Sequence, residues 1–144
     1  MKRTLLLMMV SLMLLACGEK SNDLNVKKQL GHVKNFVEVL YFHSKQRCMT
    51  CRSIEQNTQE LLNANFSRQL KEGKVVYSVI DISKRENARM AEKYEVTWSS
   101  LFIVQHKGGK EMVENLTEFA FGHSHTRPEV FKAGITEKIR KALK

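Results

Sequence analysis

Three short apolar runs mark the middle of the chain, and each has the pattern of a strand buried on nearly both faces. Residues 36–42 read F-V-E-V-L-Y-F, β-branched and aromatic with one charge. Residues 75–82 (V-V-Y-S-V-I-D-I) and 100–105 (S-L-F-I-V-Q) repeat that pattern. Between the first two runs the apolar period lengthens. Ile54, Leu61, Leu62, Phe66 and Leu70 form a stripe that predicts a helix over 48–71, with Gly73 as its stop. A short helix is expected over 83–94, where Ala88, Met90, Ala91 and Tyr94 supply apolar contacts. Gly108-Gly109 should turn the third strand into an antiparallel partner at 110–115. Residues 117–122 carry aromatics and are expected to form a link. Thr126-Arg127-Pro128-Glu129 has the form of a capping box with proline in the first turn. Phe131, Ile135, Ile139 and Ala142 then predict a last helix over 127–143.

The order β-α-β-α-β-β-α belongs to the α/β class. It predicts a sheet with helices on both faces and right-handed crossovers between parallel strands. A central strand would then deliver residues 43–51 to its carboxyl end, where open α/β sheets place their sites. Residues 26–34 fit a short helix or an initial strand equally well, and no internal repeat or low-complexity segment is present.

The N-terminal end has a different character. Lys2 and Arg3 precede an apolar run over 5–16 that is short for a membrane span and reads as a secretory signal. Leu14-Leu15-Ala16-Cys17 resembles the bacterial lipobox, in which the cysteine is diacylated and cleavage falls just before it. Acylation of Cys17 implies durable anchoring to a membrane. A plain signal peptide, or a short anchor with an incidental cysteine, is the alternative. The resulting expectation is a signal peptide over 1–16, a lipidated tether over 17–26 and a folded domain over 27–144. That domain would sit in the bacterial cell envelope, facing the periplasm or the exterior.

The chain has 144 residues, enough for one real core, and a net charge of +9. Removing Lys2 and Arg3 with the signal leaves about +7. The Lys and Arg residues are spread with no tract of five or more. That is a solvated basic surface, and no nucleic-acid partner is expected.

The chemistry concentrates in 41–55, Y-F-H-S-K-Q-R-C-M-T-C-R-S-I-E. Cys48 and Cys51 stand three apart at the predicted helix start, so their sulfurs can come within bonding reach. The unpaired N–H groups of a first turn, with Arg47 and Arg52 on either side, favour a thiolate on Cys48. Three readings remain open. A structural bridge is weakly supported, because entropic stabilisation grows with loop length and this loop is very small. A redox couple would use Cys48 to attack and Cys51 to resolve. A soft-metal or metalloid site would use the same dithiol, with His43, His123 and His125 as further ligands. Met49, with Thr50 between the cysteines, is a candidate apolar contact for a partner. Trp98 is either core or docking surface, and Asp81 reads as a cap. No phosphate-cradling glycine loop, dinucleotide fingerprint or flavin site is visible, so the redox-active disulfide Cys48–Cys51 stands as the only cofactor expected.

Over about residues 36–143 the chain resembles thioredoxin-fold proteins: strand, C-x-x-C, long helix, strand, short helix, K-Y-E-V-T-W-S-S-L-F-I-V and a G-G hairpin. More narrowly, Y-F-H-x-x-x-R-C-x-T-C-R-x-I-E at 41–55, V-T-W-S-S-L-F at 96–102 and N-L-T-E-F-A-F at 115–121 resemble the nitrophenyl-compound nitroreductase subunit family of bacterial arsenic-resistance operons. The resemblance implies a thioredoxin-like domain with a central mixed sheet, acting beside the reduction of nitroaromatic arsenicals. Its implied partners are a redox protein or second nitroreductase subunit, and a membrane protein that conducts thiol electrons. Two departures stand out. Thioredoxins place a cis-proline where this chain has Ser100, with Ser99 beside it, and a trans peptide is expected here. They also place a buried acid near the end of the first strand, where this chain has Leu40-Tyr41-Phe42. Proton transfer must then use another group, of which His43 is a candidate, or water, or be slow.

Overall fold

A computed structural model describes residues 35–144. The proposed signal, the lipobox with Cys17, the tether and the undecided segment 26–34 lie outside the described residues. Four strands form one sheet: β1 (Phe36–His43), β2 (Val75–Asp81), β3 (Ser100–Lys107) and β4 (Lys110–Asn115). The order across the sheet is β2-β1-β3-β4. β1 runs parallel to β2 and antiparallel to β3, and β4 returns antiparallel on β3. The sheet is therefore mixed, and β1 is an inner strand. Its register places Tyr41 beside Val79 on one side and Leu101 on the other.

Helix α1 (Met49–Lys71) crosses from β1 to β2. Its apolar stripe, Ile54, Leu61, Leu62 and Phe66, is buried against Val37, Val39 and Tyr41 of β1. Each such side chain contributes about 1.5–3 kcal/mol when removed from water. Gly73, at φ 68°, takes the left-handed conformation that ends the helix and turns the chain into β2. A 3-10 turn (Arg85–Asn87) leads into α2 (Ala88–Lys93), so only part of the segment expected to be helical is α-helix. β3 extends two residues beyond expectation. Lys107 pairs with Lys110 around Gly108 and Gly109, whose φ values of 59° and 78° make the tight turn.

The segment 117–122, expected to be a link, is helical: α3 spans Thr117–His123. Asn115 Oδ1 accepts from the Thr117 N–H, and the Thr117 hydroxyl accepts from Leu101 N–H, which ties the start of α3 to β3. The expected capping box does not form either. Arg127 is the residue before α4 (Pro128–Ala142), and it makes no side-chain cap. Thr126 instead donates to the Gly122 carbonyl at 3.4 Å, because α3 ends only one turn earlier.

α1, α3 and α4 cover one face of the sheet, with Phe131, Ile135 and Ile139 of α4 joining that core. On the other face Leu40, Phe42, Phe102 and Val104 pack with Tyr94 and Val96, and with Met90 and Ala91 of α2. Helices thus flank both faces. Among the described residues no helix is long and apolar enough to cross a membrane.

Candidate functional site

β1 carries the chain to the carboxyl edge of the sheet, and α1 begins six residues after it ends. Cys48 is the residue before α1, in extended backbone (φ −72°, ψ 170°), and its sulfur accepts the Cys51 N–H at 3.2 Å. Its carbonyl oxygen accepts from Arg52 N–H at 3.1 Å, which starts the helical ladder. A sulfur thus does what a Ser or Asp oxygen does at a helix start. The two cysteines differ in access. Both are free thiols here, Cys48 exposed and Cys51 buried.

Beneath Cys51 lies a polar floor. The Tyr41 hydroxyl donates to the Cys51 carbonyl at 2.7 Å. Burial, chiefly, and then the Cys51 sulfur push the phenol well above its ordinary value, so it stays a donor. Ser99 is itself buried, and its hydroxyl acts to lower both the Tyr41 phenol and the Cys51 thiol. Burial pushes the Cys51 thiol up, but hydrogen bonds from Cys48, Ser99 and the local backbone outweigh it and hold the group below its ordinary value of 9.0.

Arg47 and Glu55 make an ion pair beside this floor, with side chains 26% and 28% exposed. The Arg47 guanidinium lies 5.9 Å from the centre of the Tyr41 ring. Arg47 Nη2 and Glu55 Oε2 are shut away from solvent, and Arg47 Nε finds no acceptor among the described residues.

The remaining expected residues divide by position. Met49 (69% exposed) and Thr50 lie between the cysteines, and Arg52 is exposed on the first turn. Trp98 is 58% exposed and rests on Phe121 at 5.3 Å, so it is a surface residue and not core. Ser100 is buried, and its hydroxyl donates to the Trp98 carbonyl. The peptide between Ser99 and Ser100 is trans. His43 is half-buried near Tyr41, ring centres 6.0 Å apart, with Nδ1 at 2.9 Å from the Ser44 carbonyl. His123 stacks on Phe119 and its Nδ1 meets the Phe119 carbonyl, while His125 Nδ1 lies 3.3 Å from Ser53 Oγ. Among the described residues no three His, Cys, Asp or Glu side chains gather as metal ligands would. Asp81 accepts from the Ser83 N–H and hydroxyl, the role of a cap.

Sequence reasoning missed Tyr41 and Glu55. Both had a signal: Tyr41 is the one hydroxyl-bearing residue at the end of an apolar strand, and Glu55 stands one helical turn after Cys51.

Strand order and the place of the dithiol together decide the architecture. The fold is thioredoxin-like. No protein-family model matches the chain, and no curated protein does. Among solved structures, the thioredoxin of Fasciola hepatica is 23% identical with a TM-score of 0.46, covering 79% of this chain and 91% of that one. A thioredoxin from Thermus thermophilus is 18% identical with a TM-score of 0.47, covering 82% and 78%. Mitochondrial thioredoxin 3 from Saccharomyces cerevisiae is 18% identical with a TM-score of 0.44, covering 78% and 89%. These are distant likenesses of architecture. Within the thioredoxin-like fold of this chain, the exposed Cys48 and the buried Cys51 sit together at the start of the helix after β1.

Proposed function

We propose that the protein is a thiol–disulfide oxidoreductase, tethered through lipidated Cys17 to the bacterial cell envelope. The observation that carries this is the asymmetry of the pair: Cys48 is open to solvent, while Cys51 is buried one turn away, its N–H on the Cys48 sulfur. Cys48 attacks an incoming disulfide, and Cys51 resolves the mixed disulfide by attacking the Cys48 sulfur. The order of attack and resolution is tested by trapping. Cys51→Ser should accumulate a stable mixed disulfide on Cys48, and Cys48→Ser should accumulate none. Equal trapping by both variants would refute the assignment.

Nitroaromatic arsenicals are the proposed end of the electron path. The support is the likeness of residues 41–55, 96–102 and 115–121 to the nitroreductase subunit family. A dithiol passes electrons by exchange, so a second subunit performs nitro reduction and a membrane thiol-electron conduit recharges this chain. Purified protein with a thiol reductant should support nitro reduction only when that subunit is added. Turnover by this chain alone would overturn the carrier role.

A further inference from the structure

Arg52, Gln56 and Gln59 fall on one face of α1 at helical spacing, following Cys48 just before the helix, so a polar stripe leads away from the exposed sulfur. An open pocket of about 210 Å³ lies along it, lined by Arg47, Arg52, Glu55, Gln56 and Gln59. The charges do not balance. Glu55 is neutralised by Arg47, no acid stands in the first turn, and Arg52 makes no ion pair among the described residues. With Arg47 held by Glu55, the Arg52 guanidinium and the amides of Gln56 and Gln59 are left to face this space, a set that suits a carboxylate, which arginine holds with paired N–H donors. The space is too small for a folded partner.

We propose that this pocket seats the carboxylate of a low-molecular-weight disulfide while its sulfur reacts at Cys48. The proposal rests on the redox reading of the dithiol. The Cys48 thiolate attacks one sulfur of the disulfide R–S–S–R. That S–S bond breaks, RS⁻ leaves, and Cys48–S–S–R forms with its carboxylate on Arg52. Cys51, as thiolate, then attacks the Cys48 sulfur and expels the second RS⁻. Two electrons pass to the substrate, the two thiols lose their protons to solvent, and the Cys48–Cys51 disulfide remains.

The test compares second-order rates of the reduced protein with two aromatic disulfides, carboxylated dithiobis(nitrobenzoate) and uncharged dithiodipyridine. Their ratio cancels the nucleophilicity of Cys48. Arg52→Gln should lower the ratio about fivefold or more. Arg140→Gln removes the same charge from α4, away from the pocket lining, and should leave the ratio unchanged. An unchanged ratio in Arg52→Gln overturns the pocket assignment, as does an equal fall in Arg140→Gln. If the unsubstituted protein fails to react with dithiodipyridine, the redox reading falls and the pocket proposal with it.

Discussion

The Tyr41 hydroxyl donates to the Cys51 carbonyl oxygen at 2.7 Å, which bonds an inner strand directly to the first turn of the dithiol helix. Tyr41→Phe removes the donor and leaves a buried carbonyl short of a partner. The expected loss is about 1–2 kcal/mol of stability, read as a lower urea midpoint at unchanged slope. Amide exchange in the first turn of α1 should quicken more than exchange in β3.

The Cys51 thiol is held below its ordinary value of 9.0, despite burial, by hydrogen bonds from Cys48, Ser99 and the backbone. The unfolded chain therefore binds that proton more tightly than the folded one. Reduced protein should gain stability as pH rises from the folded value of Cys51 towards 9.0, and keep the gain above it. The gain is lost as pH falls through the folded value. Cys51→Ala should remove this component from the pH profile of the denaturation midpoint, and so should oxidation to the disulfide.

Arg47 and Glu55 form a pair that is mostly shielded from water. Removing one partner leaves the other charge poorly solvated. Arg47→Ala and Glu55→Ala should each cost about 1–3 kcal/mol, with the double variant less destabilised than the sum. A double-mutant cycle on denaturation midpoints reads the coupling, expected near 1 kcal/mol.

Glu95 stands just past α2 at φ 52°, left-handed backbone that a side chain disfavours. Its N–H bonds the Glu92 carbonyl and Val96 N–H bonds the Ala91 carbonyl, so the turn is fixed. Glu95→Gly should raise stability by about 0.5–1 kcal/mol with no change in thiol reactivity. A thermal melt of the reduced protein checks it.

The strands and the long helix were legible because their patterns are long and clean. The run 36–42 becomes β1, and the stripe from Ile54 to Phe66 becomes the buried face of α1. α3 was not legible, since seven residues are too few for a helical period to declare itself. Its order comes from tertiary ties, Thr117 to Leu101 and Asn57 Nδ2 to the Ser124 carbonyl. The false capping box has a similar cause: Thr126 had a nearer carbonyl, that of Gly122, than the local motif supplied. At the site, the cysteines and their arginines were readable by spacing. The floor under Cys51 was not, because Tyr41 and Ser99 are 58 residues apart in sequence and meet only when β1 lies beside the entry to β3.

Leu40, Tyr41 and Phe42 are all fully buried, yet they belong to different worlds: Leu40 and Phe42 look toward α2, and Tyr41 toward α1. A sheet sorts neighbours by odd and even position. A one-residue slip in the register of β1 would slide hydrocarbon under the sulfurs and turn the phenol to the opposite layer. The anchoring of the dithiol helix to the sheet is thus a matter of parity along a strand, set several residues upstream of any atom that reacts.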